Sequence, residues 1–151
     1  MLPFSSQEYI FVLDMILALT AGILIGIERE SRGKPGGINT QSFVIGGAAI
    51  FTFISRTMLP NTPGTIAAGI VTGIGFLGAG IILKKKGDIV GNITTAASVW
   101  FSAAIGMAIG FQLYLIALTA VIFSIFAPRI RSFRKKSNFK SAHRRYSNTR
   151  K

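Results

Sequence analysis

Five apolar stretches, almost free of charge, leave this chain few folds to adopt. They cover residues 10–27, 41–59, 65–83, 93–109 and 111–127. A run of about 18 apolar residues is long enough to cross a bilayer as a helix. In lipid, a lone segment pairs all its backbone N–H and C=O groups only as a helix. The expected fold is therefore all-α, an integral membrane bundle of about five transmembrane helices. The last two stretches are nearly continuous. One helix over residues 93–127 would measure about 52 Å, too long for a hydrocarbon core of about 30 Å. Gly110 and Gln112 mark the expected turn.

Lys and Arg set the expected orientation, because cytoplasmic loops carry an excess of both. The loop after the first stretch has Arg29, Arg32 and Lys34, and the loop after the third has Lys84, Lys85 and Lys86. Ten more lie between Arg129 and Lys151. With the N-terminus outside and the C-terminus cytoplasmic, 16 of the 17 basic residues face the cytoplasm, and only Arg56 does not. An even number of spans would spoil that asymmetry. Residues 1–8 hold no Lys or Arg, so a cleaved signal peptide is not expected and the first stretch is read as a retained span. Asp14 lies within it. An Asp at a helix centre costs about 2.5–3.5 kcal/mol, against about 0.3–0.6 returned by each Leu, Ile, Phe or Val. Residues 10–27 contain eleven of these, so the segment should insert.

The expected organisation is a transmembrane domain over 1–127 and a basic tail over 128–151. From residue 131 the tail is polar, with no acid. It cannot bury a core and is expected to be disordered. It reads as a positive-inside anchor or as a ligand for anionic lipid headgroups, which clusters of basic residues attract. A net charge of +12 would otherwise suggest nucleic acid. Here the charge flanks apolar segments, and no nucleic-acid partner is expected.

Enzymatic chemistry has little to work with. There is no cysteine, the one histidine, His143, lies in the basic tail, and the acids are Glu8, Asp14, Glu28, Glu30 and Asp88. No nucleophile–base pair or carboxylate pair emerges, so catalytic residues and cofactors are not expected. Magnesium is left open as a ligand.

Small residues recur at helical spacing. Asp14, Ala18, Gly22 and Gly26 share one face of the first helix, and Thr94, Ser98, Ser102, Gly106 and Gly110 form a stripe on the fourth. Gly69 and Gly73 pair on the third, which also carries Gly75, Gly78 and Gly80. Such stripes let helix backbones approach closely in lipid. They are expected to form tight interfaces, and Gly73→Leu is expected to damage assembly. Gly73 to Gly78 also spells G-x-G-x-x-G. The dinucleotide reading needs a preceding strand, and these glycines lie inside an apolar span.

Three stretches together carry a resemblance. They are Gly22-Ile-Leu-Ile-Gly-Ile-Glu-Arg-Glu30, Gly69-Ile-Val-Thr-Gly-Ile-Gly-Phe-Leu-Gly-Ala-Gly-Ile-Ile-Leu83 and Ile93-Thr-Thr-Ala-Ala-Ser-Val-Trp100. In order and spacing the chain resembles the MgtC/SapB family over about residues 10–127. The resemblance implies a multi-pass protein of the bacterial plasma membrane, associated with growth in low magnesium and survival inside macrophages. It implies action on other membrane proteins, including the F-type ATP synthase, rather than magnesium transport. The chain departs from the family pattern at Gly37-Ile38-Asn39-Thr40 and at Val90-Gly91-Asn92-Ile93, where an arginine is usual. A basic tail stands where larger members carry a soluble domain.

Several residues are candidates for function. Asp14 is an intramembrane acid, which reads as a cation or proton site or as a structural hydrogen bond to Thr or Ser across the bundle. Glu28, Arg29 and Glu30 end the first helix. Glu28 can pair with Arg32 four residues on, or an acid here can sense a divalent cation or contact a partner. Asn39 and Thr40, and Asn92 with Thr94 and Thr95, lie where the second and fourth helices begin. They read as N-caps, or as an anion site near Lys84–Lys86. Trp100 reads as a packing residue. Two functions compete: a regulator that binds another membrane protein, and a small Mg²⁺ or H⁺ transporter or channel. The second would need a homo-oligomer to build a symmetric pathway.

Overall fold

The computed structural model describes residues 5–83 and 91–129. These form five helices: α1 (Ser6–Ser31), α2 (Ile38–Met58), α3 (Gly64–Leu83), α4 (Ile93–Gly110) and α5 (Tyr114–Arg129). Among the described residues there is no strand. The all-α reading holds, and α1 to α4 are each long and apolar enough to cross a membrane. The described part of α5 has 16 residues, about 24 Å of helix. Lys84–Lys86 and the tail beyond Arg129 lie outside the described residues.

Local sequence explains the helix ends. Ser5 accepts the Glu8 N–H, and the Glu8 carboxylate accepts the Ser5 N–H, a reciprocal cap that starts α1. The α1–α2 turn contains Gly33 at φ 60 and Gly36 at φ 79, backbone shapes that only glycine adopts at no steric cost. The α4–α5 turn falls where the length argument places it. Gln112 has φ 62, and the Leu113 N–H returns to the Ala108 carbonyl at 2.8 Å.

α2 lies between α1 and α4, with a glycine seam on each side. On one side Gly22 faces Ser42 and Gly26 faces Ile38, so α1 and α2 run antiparallel. The Phe11 and Phe53 rings meet at 4.9 Å farther along the same pair. On the other side Ser102 meets Gln41, Gly106 meets Ile45 and Ala48, and Gly110 meets Ala49 and Thr52. α2 and α4 therefore run parallel, and their N-termini share one end of the bundle. The core between them is small and aliphatic: Ala18, Ala21, Ile25, Ile45, Ala49, Ile105, Ala108 and Ile109, joined by Ala117 and Val121 of α5. Large apolar side chains point outward instead, Phe43 and Phe76 each at 82% exposure. That is the arrangement lipid permits, because a Phe gains nothing by leaving hydrocarbon.

α3 departs from the expected packing. A Cβ placed at Gly69, Gly73, Gly75 or Gly80 meets nothing within 4 Å, and only Gly78 approaches a neighbour, Ala96 at 3.8 Å. The α3 glycines other than Gly78 thus make no seam with the described residues. The physical reason is that α3 shows one side to α4 and leaves these glycines on the open side. Trp100 is likewise outward, at 48% exposure, not the packing residue its position suggests.

Candidate functional site

At the end of the bundle where α1 finishes and α2 and α4 begin, polar side chains are wired into one network. Arg29 is its hub, with 5% of its surface exposed. Its Nε donates to the Gly36 carbonyl at 2.9 Å and its Nη2 to the Pro35 carbonyl at 2.6 Å. Nη2 also donates to Thr95 Oγ1 at 2.9 Å, which ties the α1–α2 turn to the first turn of α4. A guanidinium does this because its donors lie in one rigid plane and reach several acceptors at once. Gly36 closes the loop: its carbonyl also accepts from Gln41 Nε2 at 3.0 Å. Gln41 is fully buried, and its Oε1 accepts from the Ser102 hydroxyl. The chain Arg29–Gly36–Gln41–Ser102 thereby crosses from α1 through α2 to α4.

The two flanking acids have separate tasks. Glu30 accepts the Ile38 N–H at 2.9 Å, placing a carboxylate on the positive end of α2. Gly37 is the N-cap of α2, and a Cβ there would overlap that carboxylate. Glu28 is buried and pairs with Arg32 at 3.1 Å, the i,i+4 pair expected from the spacing. Arg32 Nη2 also donates to the Pro128 carbonyl at 3.1 Å, fastening the far end of α5.

The helix-start residues divide. Asn39 and Thr40 are exposed in the first turn of α2 and do not cap it, because Gly37 and Glu30 fill that position. Asn92 stands at the N-cap of α4, but its side chain makes no capping bond; it supplies the left-handed backbone, φ 62, which Asn tolerates better than most residues. Thr94 is exposed, Thr95 is buried on Arg29, Ser98 is half-buried and Ser102 is buried. The reading of Lys84–Lys86 as part of an anion site lies outside the described residues. Among the described residues no group of three metal-ligating side chains gathers.

Asp14 sits toward the opposite end, 1% exposed. The structure places it against α5 rather than against a Thr or Ser: Tyr114 Oη donates to Asp14 Oδ1 at 2.9 Å. Beside it Arg56 donates to Gln112 Oε1 and stacks 5.6 Å from the Phe53 ring. Gln41, Tyr114 and the Arg56–Gln112 pair carry no motif of their own. Only the spacing of Gln41, Ala48, Thr52 and Ser55, a second small and polar stripe on α2, offers a signal for Gln41.

The MgtC family model matches residues 15–136, and this chain belongs to the MgtC family. It is 44% identical over 112 residues to "Protein MgtC" of Salmonella typhimurium (strain LT2), covering 74% of this chain and 48% of that protein. It is 42% identical over 113 residues to "Putative magnesium transporter YhiD" of Escherichia coli (strain K12), covering 69% and 52% respectively. An "Uncharacterized protein" of Haemophilus influenzae is 34% identical over 137 residues, covering 84% and 58%. The chain thus spans about half the length of the curated relatives it matches. No solved structure matches it. Family and fold together make it a membrane protein of the magnesium-related MgtC type.

Proposed function

We propose that this MgtC-family chain acts by docking on another membrane protein and changing its activity, with the F-type ATP synthase as the target to test. The observation that carries this reading is the state of the junction. Arg29, Gln41, Thr95 and Ser102 spend their hydrogen bonds on each other and on the turn backbone. A network satisfied in this way stiffens a surface rather than gathering oxygens around a cation, and Mg²⁺ demands about six of them. Asn39, Thr40 and Thr94 lie exposed on the platform so formed, available to a partner. The family resemblance supports a regulatory role under low magnesium or stress and a place in the bacterial plasma membrane. The asymmetry of Lys and Arg supports putting the junction on the cytoplasmic side, the N-terminus outside and the basic tail against anionic lipids. No catalytic step or cofactor is part of this reading.

The second reading, transport of Mg²⁺ or H⁺, draws on Asp14, a buried acid in a span, and on a homo-oligomer for its pathway. Proton pumping in inverted membrane vesicles, with and without this protein, separates the two. Pumping is driven once by ATP and once by a respiratory substrate. Docking on the ATP synthase predicts loss of the ATP-driven signal alone. Loss of both signals would mean a leak and favour transport. No change in either would remove the ATP synthase as the target.

A further inference from the structure

The end of the bundle away from the junction holds a set of polar atoms that packing alone does not explain. Four buried side-chain atoms among the described residues lack a hydrogen-bond partner, and three of them lie here: Asp14 Oδ2, Thr52 Oγ1 and Arg56 Nε. Asp14 and Thr52 are 1% and 0% exposed, so water does not reach them across the surface. A buried polar atom without a partner costs free energy, and the cost is greatest for the free oxygen of a buried carboxylate, Asp14 Oδ2.

The charges narrow the choice. Arg56 lies within electrostatic reach of Asp14, yet its Nη1 goes to Gln112 and it forms no ion pair with the acid. Asp14 is thus a buried carboxyl with one oxygen held by Tyr114 and the other free. The groups around it are few. α2 presents Arg56 and α5 presents Tyr114; α3 and α4 carry no ionisable side chain, and on α1 Glu8 and Tyr9 lie more than one turn toward the N-terminus. A metal ion needs several oxygens, and among the described residues no group of three metal-ligating side chains gathers. A proton needs one.

We propose that Asp14 is a reversible proton-binding site, loaded at Oδ2 from the membrane face that carries Arg56 and Gln112. Tyr114 makes the occupancy matter. Its hydroxyl donates to a charged acceptor when Asp14 is ionised and to a neutral one when the proton is bound, and charge-assisted hydrogen bonds are roughly twice as strong as neutral ones. Loading therefore loosens the first turn of α5. This inference does not depend on the docking reading: the site would bind its proton with no partner present.

The test uses the full chain in proteoliposomes and a carbodiimide, dicyclohexylcarbodiimide, which attacks protonated carboxyl groups in apolar surroundings. Mass spectrometry locates the adduct. Modification is expected at Asp14, falling as pH rises on the Arg56 face, and absent in Asp14→Asn. That variant should still fold, because its amide oxygen keeps the acceptor for Tyr114. Backbone amide exchange at residues 114–118, corrected for its intrinsic pH dependence, is expected to rise with proton loading in the native chain and stay flat in Asp14→Asn. An Asp14 left unmodified at every pH would overturn the proposal. So would modification indifferent to pH but suppressed by Na⁺, K⁺ or Mg²⁺, which would make the site a metal-cation site. Flat exchange in the native chain would refute the coupling to α5.

Discussion

Gly22→Ala and Gly73→Ala are the same substitution, in the middle of two helices of one bundle, with opposite expected results. At Gly22 the new Cβ would stand 2.5 Å from Ser42 Cα and 2.7 Å from Ser42 N. Ordinary van der Waals contact begins at 3.4 Å, so α1 and α2 must part by about 0.9 Å, the difference of the two distances. Backbone is the obstacle, and no side-chain rotation relieves it. A gap of 0.5–1 Å forfeits about a quarter to a half of each dispersion contact, and overpacking of this kind costs about 1–3 kcal/mol. At Gly73 nothing lies within 4 Å among the described residues. Both changes gain the helix preference of Ala over Gly, about 1 kcal/mol in water, and that gain cancels in the comparison. Gly22→Ala should thus be less stable than Gly73→Ala by about 1–3 kcal/mol. Unfolding the full chain from mixed micelles with increasing sodium dodecyl sulfate measures both midpoints. Equal midpoints, or Gly73→Ala the weaker, would refute the assignment of the seams. The second outcome would mean that the open face of α3 is covered by another copy or a partner in the micelle.

Three further substitutions probe the junction. Arg29→Lys keeps the charge but loses the planar fork, leaving acceptors among Pro35, Gly36 and Thr95 unpaired; a loss of about 1–3 kcal/mol is expected from the same unfolding assay, and a native midpoint would show that the network does not hold the turn. Glu30→Ala removes the carboxylate from the start of α2, at about 0.5–2 kcal/mol; amide exchange at residues 38–40 should quicken, and unchanged protection there would contradict the capping role. A double-mutant cycle on Gln41→Leu and Ser102→Ala should return a coupling of about 0.5–1.5 kcal/mol for their buried bond. Strict additivity would mean that the two side chains do not depend on each other.

Apolar runs long enough to span lipid leave only a helix, so the number of helices, their order and the turn near Gln112 were legible from composition alone. The stripe of Gly22 and Gly26 was legible too, and so was the half of the α4 stripe from Ser102 to Gly110, because a face of small residues is where backbones meet. The same rule misread Gly69 and Gly73. Periodicity tells which residues share a face but not which face finds a neighbour, and α3 turns this one outward. The cap of α2 was misassigned for a related reason, whereas Asn92 does stand at the N-cap of α4. Asn39 and Thr40 are good capping residue types, but Glu30, eight positions before Ile38, reaches back across the turn to take that amide. Tyr114 could not be paired with Asp14 from the sequence, since their contact spans 100 residues. Whether α5 lies along α1 is settled by packing, which no local pattern records.

Glycine seams on both sides of α2 have a mechanical consequence. Gly26 leaves no room for a Cβ beside Ile38, nor does Gly106 beside Ile45. Backbones this close cannot slide or tilt past each other without overlap, because packed interiors shift between discrete arrangements rather than deform smoothly. The trio α1, α2 and α4 is therefore the fixed part of the molecule, and Arg29, Gln41 and Ser102 bolt it at one end. α3 and α5 are held differently. Five of the six α3 glycines have room for a Cβ that meets nothing within 4 Å among the described residues. α5 packs Ala117 and Val121 into the core and is pinned at its two ends by polar bonds, Tyr114 to Asp14 and Arg32 to the Pro128 carbonyl, with Arg56 to Gln112 just before it begins. Polar bonds respond to a proton or a partner's charge, whereas close-packed backbones do not. Any signal this protein carries between its two ends should then pass through α5, whose ends meet Asp14 at one level and Glu28 with Arg32 at the other.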